Sequence, residues 1–133
     1  MEYRFTIDGT LPNLNDYLQA ERQVIRTAKS YTTRGNEMKQ FWQNHIVLIL
    51  RGQLKGLKID KAIFITYRFF EPNKRRDLDN ISAFAHKVIQ DALVKSGIIK
   101  NDGWKEIVGF QDSFYIDKEN PRIEVVLREV EDG

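Results

Sequence analysis

Cysteine is absent from the chain. Its absence excludes a disulfide framework, a thiolate nucleophile and a zinc–thiolate site, and it suits a reducing, cytoplasmic setting. Histidine is scarce: His45 and His86 are the only two, too far apart in sequence to make a recognisable ligand or base pair, so each reads as structural. Long apolar runs are missing too. The longest, Ile46 to Leu50, is a small fraction of a membrane-crossing helix, so no membrane partner is expected. Met1-Glu2-Tyr3-Arg4 carries neither the cationic nor the apolar block of a signal peptide. A strong net charge is also lacking. With 21 basic and 19 acidic residues the balance is +2, so any nucleic-acid footprint must be local.

What is present fits one domain over residues 1–133, long enough to bury a core without staples. Tyr3, Phe5 and Ile7 alternate with polar residues and predict a strand ending at Gly9. Residues 10–35, with Pro12, scattered basic residues and Gly35, show no sustained period. They read as a mobile loop with a short helix around Asp16 to Ala28. Asn36 is placed to cap a helix from Glu37 that stops at Gly52 or by Gly56. Ile59 to Phe70 is β-branched and aromatic, hence a strand closed by Pro72. Leu78, Ile81, Phe84, Ala85, Val88, Ile89, Ala92 and Leu93 have helical spacing ending at Gly97. Ile107 to Ile116 and Arg122 to Val130 read as two strands joined by a turn around Lys118 to Pro121. The order is β-α-β-α-β-β, an α/β (α+β) fold with a mixed sheet and helices packed on it.

Chemistry concentrates at Lys74-Arg75-Arg76-Asp77-Leu78-Asp79-Asn80. Asp77 and Asp79 sit where a loop hands over to a helix. In extended backbone, residues two apart point to one side, so both carboxylates can face one ion. Mg2+ takes hard oxygen ligands and needs only one or two protein carboxylates beside water and phosphate oxygens. Such an ion polarises a phosphodiester and acidifies a bound water. Asp77 or Asp79 would serve equally well as a simple helix cap, and one can cap while the other binds metal. Asp102, in Asn101-Asp102-Gly103, lies on a helix-to-strand turn. A helix of about twenty residues, roughly 30 Å long, separates it from Asp77. A partner subunit across a two-fold axis, or a shorter or bent helix, would reunite them.

Arg75-Arg76-Asp77-Leu78-Asp79-Asn80, then Asp91-Ala92-Leu93, Lys95-Ser96-Gly97 and Asp102 resemble the signature of the RusA family of Holliday junction resolvases. These are small dimeric endonucleases common in phages and prophages. Pro12, Asn15 and Tyr17 are similar to the family's segment after the first strand. The resemblance implies that Asp77, Asp79 and Asp102 are the catalytic and metal-holding aspartates. It also implies a homodimer, dependent on Mg2+ with Mn2+ as a substitute, that nicks opposing strands of a four-way junction in recombination and repair. The chain departs from the family's shorter pattern by four more residues between Asp79 and Asp91, about one helical turn. The family's catalytic lysine then matches Lys87 counted back from Asp91, or Ala83 counted forward from Asp79. Only Lys87 keeps the charge; otherwise it is a solvated residue one turn from Asp91.

Lys74, Arg75 and Arg76 adjoin the aspartates and are placed to meet DNA phosphates, with salt-sensitive binding. Arg22, Arg26, Lys29 and Arg34 form a second basic group, suited to a DNA arm or to a solvated loop. Tyr17 and Tyr31 are candidates for stacking on bases, with ordinary packing the simpler role. One of Phe69 and Phe70 must face away from the buried side of the sheet, toward a dimer contact or DNA. Trp42 reads as core, and Trp104 as a residue steadying the Asp102 turn or a dimer contact. The reading is thus a metal-dependent endonuclease for branched DNA. Two alternatives stand beside it: a broader nuclease for flaps and other branches, and a phage DNA-binding module that keeps the fold without the chemistry.

Overall fold

The computed structural model describes residues 1–131. Strand β1 (Glu2–Asp8) leads to helix α1 (Leu14–Glu21), the short strands β2 (Val24–Arg26) and β3 (Tyr31–Thr33), and helix α2 (Arg34–Gln53). Strand β4 (Ile63–Glu71), helix α3 (Leu78–Lys95) and strands β5 (Ile107–Ile116) and β6 (Arg122–Glu129) follow. The main sheet has the order β1-β6-β4-β5, in which β4 and β5 run parallel and the other neighbours antiparallel. It is a mixed sheet with helices on it, as the pattern predicts. The parallel pair follows from α3, which returns the chain to the starting end of the sheet before β5 begins. Strands β5 and β6 share a short turn but do not pair, because β4 lies between them.

Strand alternation sorts the residues of β4 cleanly. Ile63, Ile65, Tyr67, Phe69 and Glu71 are buried, while Phe64, Thr66, Arg68 and Phe70 are only partly so. The buried set meets Ile123, Val125 and Leu127 of β6, Phe5 and Ile7 of β1, and the inner faces of α2 (Ile46, Leu50) and α3 (Val88, Ile89) in one core. Helix α3 ends where Gly97 turns left-handed (φ 83°) and the Ile98 amide closes on the Leu93 carbonyl.

Two local expectations change. Thr33, not Asn36, caps α2, its side chain accepting from the Asn36 amide, so the helix starts one turn earlier than Glu37. Within residues 10–35 the expected short helix forms as α1, over Leu14–Glu21 and not Asp16 to Ala28, capped by the Asn13 side chain, and the β2–β3 hairpin stands where loop was expected. The hairpin strands are three residues each and lack apolar alternation, which hides them from a periodicity argument.

The two edges of the sheet differ. On the β1 edge the Gln53 side chain pairs like a strand with Thr6, taking its amide and giving to its carbonyl, both at 2.8 Å. The β5 edge has no strand neighbour among the described residues. It carries Val108, Phe110, Tyr115 and Ile116, each about half exposed. Among the described residues no helix is long and apolar enough to cross a membrane.

Candidate active site

Pro72 ends β4, since proline cannot extend the ladder. The Asn73 side chain then accepts from the Arg75 amide at 3.0 Å and turns the chain back toward α3. Asp77 occupies the N-cap position in extended conformation (φ −69°, ψ 149°), and its carbonyl accepts the first helical bond, from the Ile81 amide. Its carboxylate makes no capping hydrogen bond. The residue has the place of a cap without its bond, which leaves both oxygens available at the surface. Asp79, exposed in the first turn of α3, is the acidic residue that this positive end of the helix favours.

Asp77 lines a cleft of about 460 Å³, walled by Glu71, Lys74, Arg76, Ile81 and the end of β5 at Ile116. Lys74 and Arg75 are exposed and make no ion pair among the described residues. Arg76 differs. Its Nε and Nη2 donate to the two oxygens of Glu71 at 2.9 and 3.0 Å, and Nη1 donates to the Leu11 carbonyl at 2.8 Å. Three of its donors are used within the chain, so Arg76 does not stand free beside Lys74 and Arg75 as the basic run implies. Sequence reasoning missed Glu71. The available signal was its register, since it continues the inward-facing series Ile65, Tyr67, Phe69.

Asp102 stands elsewhere. It is exposed, its amide donates to the Asn101 side-chain oxygen at 2.9 Å, and it lines a separate recess with Gln90, Trp104, Ile107 and Phe110. Helix α3 runs as 18 residues, about 27 Å, between the two places. A short helix therefore does not reunite the aspartates within one chain. Among the described residues no three acidic or histidine side chains gather as a metal site. Asp79 lies inside α3 and does not line the cleft, so the extended backbone expected to aim both carboxylates at one ion holds only at Asp77. Mg2+ takes one or two such hard-oxygen donors beside water and phosphate, so the donor chemistry fits that ion.

Lys87 is exposed on α3 and reaches Asp91 at 3.3 Å, the ion pair expected one turn apart. The second basic group is spread over three elements. Arg22 follows α1, Arg26 lies in β2, Lys29 sits in the hairpin turn, and Arg34 opens α2 and pairs with Glu37 at 3.6 Å. Tyr31 projects from this hairpin, 71% exposed. Tyr17 instead packs on Phe84, with ring centroids 5.3 Å apart.

Of the aromatic pair, Phe69 is buried against Phe114, while Phe70 faces outward. Phe70 is covered within the chain by Tyr115 and by the Arg122 guanidinium, 3.8 Å above its ring. Trp42 packs on the edge of the core, and Trp104 is almost fully exposed beside Asp102. His45 is exposed and meets Trp42 edge-on. His86 is tied to Asp112 at 2.7 Å between α3 and β5, with the Tyr67 and Phe110 rings at 4.6 Å. Tyr67 beneath it is fully buried, which pushes its phenol pKa well up; Gln90 donates to its oxygen at 3.2 Å.

Compared with models of protein families, the chain matches the one described as endodeoxyribonuclease RusA over residues 14–128. That span holds Asp77, Asp79, Asp91 and Asp102 and leaves outside it β1, the stretch from Gly9 to Asn13 and the residues after 128. No curated protein matches the chain.

Proposed function

The chain belongs to the RusA endodeoxyribonuclease family, and we propose that it is a Mg2+-dependent homodimer that resolves four-way DNA junctions by paired nicks on opposing strands. The observation that carries this is Asp77: a carboxylate at the start of a helix, free of capping duty, in a cleft beside Lys74 and two residues from Asp79. Asp77 and Asp79 would hold the ion, which when bound supplies a polarised phosphodiester and an acidified water. Lys74 and Arg75 neutralise the phosphates flanking the cut, so binding weakens as salt rises.

The separation of Asp102 supports the dimer. A two-fold axis beside the open edge of β5 would pair that strand antiparallel with its copy, Ile107 of one chain opposite Ile116 of the other. Asp102 precedes Ile107, so such pairing brings the partner subunit's Asp102 next to the cleft that Ile116 walls. Both recesses involve residues on the helix side of the sheet, and a two-fold axis perpendicular to the sheet keeps them on one side. The exposed Val108, Phe110, Tyr115 and Ile116 would be covered in the same step. Each composite site then serves one of the two equivalent strands of a junction.

A synthetic four-way junction labelled on each strand tests the proposal. With Mg2+ the chain should nick two opposing strands at symmetric positions and leave ends that a ligase can seal. Cuts confined to flaps would favour the broader nuclease, and binding without cuts the non-catalytic module.

A further inference from the structure

Trp104 is the most exposed large apolar side chain among the described residues, 97% open to solvent. It stands two residues after Asp102, on the turn that leads into β5. The turn is held without it. Ile98 and Ile99 are buried on the approach, and the amides of Glu106 and Ile107 both donate to the Gly103 carbonyl, at 3.1 and 2.9 Å. The Glu106 carbonyl in turn accepts from the Ile63 amide at 2.8 Å. The indole is therefore held out on a firm backbone and steadies nothing within the chain.

Its neighbours in sequence are basic. Lys100 and Lys105 bracket Asp102 and Trp104, and both are exposed without an ion pair among the described residues. An aromatic ring between free cations suits a nucleic acid, whose bases offer π-faces and whose backbone offers phosphates. It suits a protein interface poorly, because lysine is depleted there. The proposed two-fold contact runs from Ile107 to Ile116, so Trp104 lies beyond its end. A base inside an intact duplex must be unstacked before it can be reached, and an unpaired base is reached at less expense.

We propose that Trp104 stacks on an unpaired base at the branch point, with Lys100 and Lys105 on the adjoining phosphates, and so makes the chain prefer branched over linear DNA. This rests on the reading of the chain as a junction nuclease with Asp102 in a composite site. In that arrangement Trp104 enters the site with Asp102, from the subunit that does not supply Lys74 and Arg75.

The test uses the full chain with Trp42→Phe, which leaves Trp104 as the sole indole. A four-way junction and a linear duplex of matching sequence are titrated into it in EDTA. The junction should quench Trp104 fluorescence and the duplex should not. If Trp42→Phe fails to fold, the fluorine resonances of 5-fluorotryptophan in the unaltered chain, assigned with Trp104→Phe, give the same readout. With Trp42 in place, Trp104→Ala should weaken junction binding by about 10-fold, within the range for one stacked base, and leave duplex binding unchanged. Trp104→Phe should recover most of that loss. Lys100→Ala and Lys105→Ala should each lower the salt slope of junction binding by about one. The dimer, followed by sedimentation equilibrium, should be unchanged in Trp104→Ala.

Equal quenching by junction and duplex, or junction affinity unchanged in Trp104→Ala, would overturn the stacking. Dissociation of Trp104→Ala into monomers would overturn it too, and would assign the indole to the dimer contact. A salt slope unchanged in both lysine variants would overturn the phosphate contacts. Selective quenching and selective loss of junction affinity in a chain that cuts no junction would leave the stacking standing and overturn the proposed nuclease.

Discussion

Asp77 and Asp102 stand at opposite ends of strand β5: the cleft lined by Asp77 is walled by Ile116, where the strand ends, and the recess of Asp102 by Ile107, where it begins. Ten extended residues span about 33 Å. One Mg2+ cannot touch both carboxylates of a single chain, because its ligands lie about 2 Å from it. On the proposed reading, a metal site shared by all three aspartates would take Asp102 from a second copy, and the open β5 edge is where a two-fold pairing would supply it.

Asp79→Asn should abolish Mg2+-dependent junction cleavage, at least about 100-fold, while junction affinity in EDTA stays within about twofold of wild type. On the proposed reading the change takes away a charged metal ligand and would leave Lys74 and Arg75 to hold phosphate. Gel-based cleavage and binding on one labelled junction measure both. Substantial cleavage by this variant would remove Asp79 from the metal site.

Lys87 lies eight residues beyond Asp79 on α3, about 12 Å along the helix, and its ammonium is drawn to Asp91 on the side away from the cleft end. Lys87→Ala should leave the single-turnover cleavage rate within about threefold of wild type. Its cost in stability should be no more than about 0.5 kcal/mol, as for an exposed pair one turn apart. A rate loss of tenfold or more would restore the family's lysine role to this residue despite the extra turn.

The main elements were legible because their signals are local. Alternation at Tyr3, Phe5 and Ile7 gave β1, and the spacing from Leu78 to Leu93 gave α3 to within two residues of its end. The aspartate turn was legible from its motif. What escaped were relationships between distant positions. Glu71 looks like an ordinary charge closing a strand until register turns it inward to Arg76. The His86–Asp112 pair joins residues 26 apart, so spacing within a helix or a strand could not indicate it. The β2–β3 hairpin escaped for another reason: three-residue strands without alternation carry no period to read.

Tyr67 links stability to alkaline pH. Burial raises its phenol pKa in the folded chain, so the folded state keeps a proton that the unfolded chain releases near pH 10. Its contribution is complete below that pH and is lost as pH rises above it. Tyr67→Phe removes this loss at the expense of the Gln90 hydrogen bond. Thermal melting from pH 7 to 11 should show the variant below wild type at pH 7 and the gap narrowing above pH 10. A gap constant with pH would mean that the phenol does not titrate with unfolding.

The composite site is tested most directly by mixing two inactive chains, Asp77→Asn and Asp102→Asn, and allowing subunits to exchange. If each site takes Asp77 and Asp79 from one subunit and Asp102 from the other, a mixed dimer holds one site with every aspartate intact. The account predicts that neither variant alone cuts a four-way junction and that the mixture regains Mg2+-dependent cleavage, as single nicks with few paired ones. If exchange is verified and the mixture stays as inactive as its components, the aspartates do not meet across a two-fold axis and the central claim is wrong.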